Sequence, residues 1–165
     1  ANAMLFNGTY KLVPRGPYFY TDTTVVELKG SMDVDLKVVP FVHASLTIGE
    51  VTANSITVKV KAQRNVEADK IVEQQISNVV AVLGTTAGVN YNNYYVVNNN
   101  TTAYRFAENT SSIPNAEIGS KEYSYTFANL KAGTTYFLRG AARVANSNPS
   151  SYYNYSDLKE VTTLK

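Results

Sequence analysis

The sequence predicts an all-β protein built as a sandwich of two sheets, and three observations lead to that prediction. Strand-like segments follow one another along the chain with no long helical pattern between them. Apolar and polar residues alternate in several segments, most clearly from Ile56 to Lys61, which is the pattern of a half-buried strand. The chain also contains 13 Tyr and 17 Asn, a combination of a residue that favours strands with one that favours turns.

The N-terminal segment, residues 4–43, is expected to form a partial β-domain. Residues 5–13 alternate weakly, and residues 23–29 and 32–39 are predicted to be two strands joined in a hairpin by Gly30-Ser31. Pro40 closes the segment, so we place a domain boundary near residues 41–43. Residues 1–3 are interpreted as a vector remnant before Met4. Because a strand-like run follows Met4 directly, we expect the start of this domain to lie upstream.

Residues 44–165 are expected to form the sandwich. Residues 44–51 and 55–62 predict a hairpin, residues 66–75 are helix-like, and the apolar run 76–83 is typical of a central strand. Residues 123–127, 135–145 and 155–164 predict three further strands, with a polar loop at 146–151 before the last one. In the strand 135–145, Tyr136 and every second residue up to Val144 share one face.

A polar excursion of the chain, residues 85–119, interrupts this series of strands. Six of the eleven residues from Asn90 to Asn100 are Asn, and tyrosines lie among them. Because a structureless loop of this length is uncommon and often functional, we expect short strands near 94–97 and 103–107 and treat the segment as an insertion in the sandwich.

The C-terminal part, residues 44–165, resembles a fibronectin type III domain in the run from Leu130 to Arg139 and in the residues Tyr155-Ser156-Asp157 and Val161-Thr162-Thr163. The resemblance implies a fibronectin type III-like, or immunoglobulin-like, sandwich. It also implies that Leu130 is a core leucine and that Tyr136 forms a tyrosine corner, in which the hydroxyl bonds to nearby backbone. Ala132 stands where that family usually has Pro.

The block from Asn7 to Pro14, followed by Val25–Leu28 and Val34-Asp35-Leu36, is similar to the last strands of a carboxypeptidase regulatory-like, transthyretin-type domain. The two blocks in this order resemble an uncharacterised family of Bacteroides-type surface lipoproteins that belong to glycan-utilisation systems. That resemblance implies a location on the extracellular face of a bacterial outer membrane, through a lipid anchor upstream of this chain.

Composition argues against several classes of function. The net charge is +2, without the clustered basic bias of a nucleic-acid-binding protein. The chain has no Cys and a single histidine, His43, so we expect no catalytic triad, no metal site, no cofactor and no enzymatic activity. Asp33 and Asp35 could offer oxygen ligands to Ca²⁺, although a solvated strand face beside Lys37 is the favoured interpretation.

Tyrosines provide the candidate ligand-binding residues, namely Tyr91, Tyr94, Tyr95 and Tyr104 in the excursion and Tyr152 and Tyr153 near the last loop, with Tyr155 beside them. Rings stack on the apolar face of a sugar while phenol and amide groups bond its hydroxyls, and the same residue types dominate adaptable protein-binding surfaces. The competing interpretation is that these rings only cover the sheets. If 94–97 is a strand, Tyr94 and Tyr95 point to opposite faces.

The sequence therefore favours a non-catalytic accessory module of a bacterial glycan-uptake system, which binds glycan or spaces and docks the glycan-binding apparatus. Its expected partners are glycans or outer-membrane glycan-uptake proteins. The alternative is an adhesin-like module that binds protein.

Overall fold

The computed structural model describes residues 4–20, 23–69, 74–97, 102–145 and 152–165 of the 165-residue chain. The expected loop 146–151 lies outside these ranges. The N-terminal segment contains four short strands: β1 Gly8–Leu12, β2 Tyr18–Tyr20, β3 Thr24–Leu28 and β4 Val38–Pro40. The rest of the chain contains β5 Val42–Val51, β6 Ile56–Arg64, α1 Val66–Asp69, β7 Ile76–Gly84, β8 Val96–Val97, β9 Thr102–Ala103, β10 Arg105–Asn109, α2 Asn115–Ser120, β11 Tyr123–Phe127, β12 Thr135–Val144, β13 Asn154–Tyr155 and β14 Lys159–Thr162.

Two antiparallel sheets form the sandwich, and the predicted all-β fold is confirmed. One sheet has the strand order β11-β6-β5, and the other has the order β10-β7-β12-β13, with β14 also paired to β12. The inward residues of β6 are fully buried (Ile56, Val58, Val60 and Ala62, each 0% exposed). They pack in one core cluster with Val79 and Leu138 of the facing sheet, as two sheets with alternating apolar faces must.

Strand β12 follows its predicted alternation, because Tyr136, Leu138, Gly140, Ala142 and Val144 are all buried. The predicted last strand is instead divided into β13 and β14. The break has a local cause at Ser156, whose N–H donates to the Gly140 carbonyl (2.9 Å) and whose Oγ accepts from the Gly140 N–H (3.0 Å). A side chain here takes the place of a ladder hydrogen bond, so the strand is interrupted.

The N-terminal strands pair differently from the predicted hairpin of residues 23–29 and 32–39, which is wrong. Strand β3 pairs with β1, and β2 pairs with β4. Gly30, with φ of +94°, ends β3 and donates its N–H to the Asn7 side chain (3.0 Å) rather than forming a turn into another strand. Residues 32–37 form no strand, so Asp33 and Asp35 are exposed in irregular chain and do not share a strand face.

No side chain of β1 or β3 is buried. Several large apolar side chains of this segment are exposed, including Phe6 at 91% and Val25 at 63%. The segment joins the sandwich through its last residues, since Val39 and Phe41 belong to the sandwich core and the Phe41 N–H donates to the Pro17 carbonyl (3.1 Å). The ladder of β1 and β3 therefore has no closed core of its own within the described chain.

The turn before β12 has the geometry of a tyrosine corner. Tyr136 is 1% exposed, and its hydroxyl accepts a hydrogen bond from the Lys131 N–H at 3.0 Å. Leu130 is buried beside it, and its N–H donates to the Asn54 carbonyl (2.9 Å). Gly133, with φ of +61°, supplies the left-handed residue that the turn requires. This bonding ties the β11–β12 connection to the β5–β6 hairpin.

Candidate functional site

The outer face of the five-stranded sheet carries a second apolar cluster, separate from the core between the sheets. Val80 and Val82 of β7, Ala141 of β12, Val89 and Tyr153 are its buried members. The strand β7 is therefore buried on both faces, which explains why residues 76–83 are nearly all apolar. The excursion of the chain provides the cover, because Val89, Tyr91 and Tyr94 all belong to this cluster.

A tight turn brings the excursion back over the sheet. The backbones of Asn90 and Asn93 exchange hydrogen bonds of 2.8 and 3.1 Å. The Asn90 side chain also accepts from the Asn92 and Asn93 N–H groups (2.9 and 3.0 Å), which is the usual role of Asn in a turn. These asparagines therefore build the loop. Short strands follow at Val96–Val97 and Arg105–Asn109, close to their expected positions.

Arg105 lies against the rings of Tyr91 and Tyr94. Its guanidinium carbon is 4.3 Å from the Tyr91 ring centroid and 4.5 Å from that of Tyr94, and Nη1 donates to the Tyr91 carbonyl (2.9 Å). Tyr91 also stacks on Tyr153 with 4.5 Å between ring centroids, and its N–H donates to the Tyr155 hydroxyl (2.9 Å). Cation–π contacts and stacking thus fix the rings over the outer face.

Burial raises the pKa of both Tyr153 and Tyr155 above the ordinary value. For Tyr155, the bond from the Tyr91 N–H and the nearby Arg139 oppose this effect without cancelling it. Both phenols are therefore neutral at physiological pH, and they act as hydrogen-bonding and packing groups.

A half-open depression of about 300 Å³ lies at the edge of this cluster, where β7 ends and the excursion begins. Its lining consists of Gly84, Thr85, Thr86, Asn93, Tyr94, Tyr95 and Val96. The lining contains hydroxyl, amide and phenol groups but no charged side chain. Arg105 covers one face of the Tyr94 ring, and no other ring or cation stacks on Tyr94 within the described residues. The arrangement can stack one flat apolar surface and bond hydroxyl groups around it.

The structure corrects part of the predicted tyrosine surface. Tyr104 and Tyr153 are only 3% and 5% exposed, so neither can present its ring to a ligand. Tyr95 is half-buried, stacks on Tyr104 at 5.1 Å and packs on the inner core, while Tyr94 packs on the outer cluster. The competing interpretation, that these rings cover the sheets, holds for Tyr95, Tyr104 and Tyr153.

Tyr94 is the predicted residue that best fits a binding role. Tyr91 is half-buried between Arg105 and Tyr153. Tyr152 is 40% exposed but does not line the depression.

Sequence reasoning missed Thr85, Thr86 and Asn93 in the lining, as well as Arg105 behind it. The available signal was Arg105 itself, a single cation in a Tyr-rich and Asn-rich stretch between residues 90 and 107.

The single histidine, His43, is an exposed residue of β5, paired in register with Gln63. Across the described ranges, no group of three His, Cys, Asp or Glu side chains could hold a metal ion.

Comparison with known proteins adds a partial family match and a shared fold. Residues 2–39 match the N-terminal domain of DUF3823, a family of unknown function. This match covers the N-terminal strands and not the sandwich. No curated protein matches the chain in sequence. No helix in the described parts of the chain is long and apolar enough to cross a membrane.

Three solved structures share the fold at low sequence identity. A DUF3823 protein from Bacteroides ovatus has a TM-score of 0.62 and 19% identity over 99% of this chain and 79% of that one. A DUF3823 protein from Parabacteroides merdae has a TM-score of 0.62 and 22% identity, covering 99% and 73%. A Bacteroides uniformis protein named as a candidate carbohydrate binding protein has a TM-score of 0.65 and 19% identity, covering 98% and 76%.

Proposed function

We propose that this chain is a non-catalytic carbohydrate-binding module whose binding site is the depression beside Tyr94. The observation that carries the proposal is the Tyr94 ring, which is supported on one face by Arg105 and lies in a depression lined by Thr85, Thr86 and Asn93. The name of the Bacteroides uniformis protein that shares the fold points in the same direction.

The chemistry of the depression suits a sugar better than it suits a hydrophobic ligand. A sugar ring has an apolar face that stacks on an aromatic ring, and its hydroxyls need donors and acceptors around that ring. Thr hydroxyls and an Asn amide can serve as both. The volume of about 300 Å³ is at the lower end of small-molecule sites, which favours a single sugar or a chain end.

The site is also held in place before a ligand arrives. Arg105 is fixed by two rings and by its bond to the Tyr91 carbonyl, and the asparagine turn fixes the loop that carries Tyr94. A preorganised ring loses little conformational entropy on binding, and the ordering of side chains is one of the costs that lower affinity.

The same proposal includes the cellular setting that the sequence resemblance implies. The module acts on the extracellular face of a bacterial outer membrane, held by a lipid anchor in the full-length protein, and presents glycan to an uptake system or spaces its components. Its partners are glycans or outer-membrane glycan-uptake proteins, without a nucleic-acid partner. The Bacteroides and Parabacteroides sources of the proteins that share the fold support this setting.

A glycan array, followed by calorimetric titration of the best glycan, tests the proposal. Tyr94→Ala should weaken binding by about 1–3 kcal/mol, the size of base stacking on an aromatic ring, and Tyr94→Phe should retain most of the affinity because the ring remains. Tyr152→Ala removes an exposed tyrosine outside the depression and serves as the control, with unchanged affinity expected.

Melting temperatures of the same variants separate binding from folding. If Tyr94→Ala lost affinity and stability to the same degree as a core mutant, Tyr94 would be a packing residue. If the array showed no glycan binding but a protein partner were captured at the same surface, the adhesin-like alternative would replace the proposal.

A further inference from the structure

Arg105 is held in place without an acidic partner. Within the described chain the two salt bridges join Lys29 to Glu27 and Lys59 to Glu122, and neither involves Arg105. Among the described residues, the guanidinium makes one hydrogen bond, from Nη1 to the Tyr91 carbonyl. The other guanidinium nitrogens are not among the buried unpaired atoms, so they remain in contact with solvent beside Tyr94.

A second arginine lies on the same face of the sheet. Arg105 and Arg139 both lie opposite Val82 in register, one on each neighbouring strand, and residues opposite each other in antiparallel strands share a face. Two strand spacings place their backbones roughly 10 Å apart. Arg139 has no carboxylate partner in the described residues, and its buried Nε has no hydrogen-bond acceptor. Its guanidinium lies 5.8 Å from the Tyr155 ring.

The guanidinium groups of Arg105 and Arg139 therefore pack on aromatic rings, and within the described residues neither forms an ion pair with a carboxylate. The nearest carboxylate along the sheet is that of Glu160 in β14, which lies opposite Phe137 on the same face. The depression itself has no acidic residue in its lining. A guanidinium stacked on rings keeps its in-plane N–H groups available, and their planar fork matches the two oxygens of a carboxylate. The structure thus provides one free face of the Tyr94 ring for a sugar and, on the other face, a cation without a carboxylate partner in the described residues.

We propose that the site selects acidic glycans, in which one sugar ring stacks on the free face of Tyr94 and the carboxylate of a neighbouring uronic acid in the chain reaches the solvent-facing N–H groups of Arg105 at the edge of that ring. This inference rests on the proposed carbohydrate-binding function and specifies its substrate class. Arg139 adds positive potential on the same face and favours a chain that carries repeated acidic groups over one with a single acidic group.

Matched acidic and neutral ligands provide the test. Calorimetric titration compares oligogalacturonate and alginate oligosaccharides with their carboxyl-reduced neutral counterparts at low and high salt. The acidic form should bind about tenfold or more tightly than its reduced counterpart, the size of one charge-assisted hydrogen bond. Because exposed charges are screened, the preference should shrink as salt rises.

Variants of Arg105 test whether this residue causes the preference for the acidic ligand. Arg105→Gln should remove the preference for the acidic form, and Arg105→Lys should reduce it because the charge remains while the fork is lost. Arg15→Gln removes the same charge from an exposed position in the N-terminal segment and should retain the preference. Dextran sulfate serves as a probe for charge alone, and its binding should respond equally to Arg105→Gln and Arg15→Gln.

The outcomes separate this inference from the function on which it rests. Equal or tighter binding of the carboxyl-reduced forms would overturn acidic selection while the carbohydrate-binding function stands. Absence of binding to every glycan would overturn both. The comparison of the two ligand forms uses the unaltered protein, so it decides the question even if the Arg105 variants fold poorly.

Discussion

Two buried tyrosine hydroxyls in the sandwich should respond in opposite ways to the same chemical change. The Tyr136 hydroxyl accepts a hydrogen bond from the Lys131 N–H at 3.0 Å. The Tyr123 hydroxyl is buried without a hydrogen-bond partner in the described residues. Both rings are buried, at 1% and 4% exposure, so substitution by Phe preserves the packing and removes only the hydroxyl in each case.

The expected magnitudes follow from those contacts. Tyr136→Phe should lower the free energy of unfolding by about 1 kcal/mol, the net value of one hydrogen bond, because the Lys131 N–H loses its acceptor. Tyr123→Phe removes a polar group that gains nothing on burial, so it should be neutral or stabilise by up to about 1 kcal/mol. The contact of Lys121 with the Tyr123 ring, at 4.7 Å, is available to a Phe ring as well.

Urea unfolding followed by circular dichroism measures both changes, with m-values checked for constancy. In thermal melts, Tyr136→Phe should lower Tm by about 2–4 °C for a domain of this size. The reasoning fails if Tyr123→Phe loses as much stability as Tyr136→Phe, since the hydrogen bond would then not be what distinguishes the two sites.

Two further predictions concern pH and packing. Burial raises the pKa of five tyrosines, Tyr104, Tyr123, Tyr125, Tyr153 and Tyr155. The neutral phenols therefore contribute their full stability below a pH of about 10. As the pH rises further, this stability is lost by about 1.4 kcal/mol per pH unit for each tyrosine that ionises only on unfolding. Unfolding titrations from neutral to alkaline pH, with tyrosinate absorbance recorded in parallel, measure the loss, and a stability that does not change with pH would contradict the prediction. Gly140→Ala should destabilise the fold by about 1–3 kcal/mol, because a Cβ would lie 3.0 Å from Val60 Cγ1 and 3.2 Å from the Ser45 carbonyl oxygen. The control Gly119→Ala should be neutral or stabilising, because the nearest atom to its Cβ would be 3.9 Å away and alanine favours helix α2. Equal losses of stability for the two variants in denaturant titrations would argue against tight sheet packing at Gly140.

Sequence patterns predicted the sandwich strands well where one face of a strand is buried by the opposite sheet. In β6 and β12 the alternation of apolar residues sets which side chains point inward, because neighbours along a strand point to opposite faces. Tyr94 and Tyr95 do pack on opposite clusters, outer and inner respectively, but the expected strand 94–97 begins only at Val96, so their separation does not come from strand alternation. The N-terminal hairpin was mispredicted because Gly30-Ser31 is also compatible with a strand end, and β3 finds its partner in the distant β1.

The candidate site was predictable only in part. A cluster of tyrosines in an Asn-rich excursion indicated where a surface could lie, but composition does not distinguish a ring that covers a sheet from one that faces a ligand. Tyr153 stacks on Tyr91, more than 60 residues away in sequence, and this contact determines that Tyr153 is buried. Arg105 likewise reaches Tyr91 and Tyr94 only because the excursion folds back over β10 and β7.

The sequence by itself thus determined the strand periods, the inward faces of the central strands and the turn that leads to Tyr136, because these depend on local geometry and on burial by a single facing sheet. The tertiary structure alone decided which tyrosines remain accessible, where the depression forms and which cation supports it. Those properties depend on contacts between segments far apart in the chain, and local alternation carries no information about such contacts.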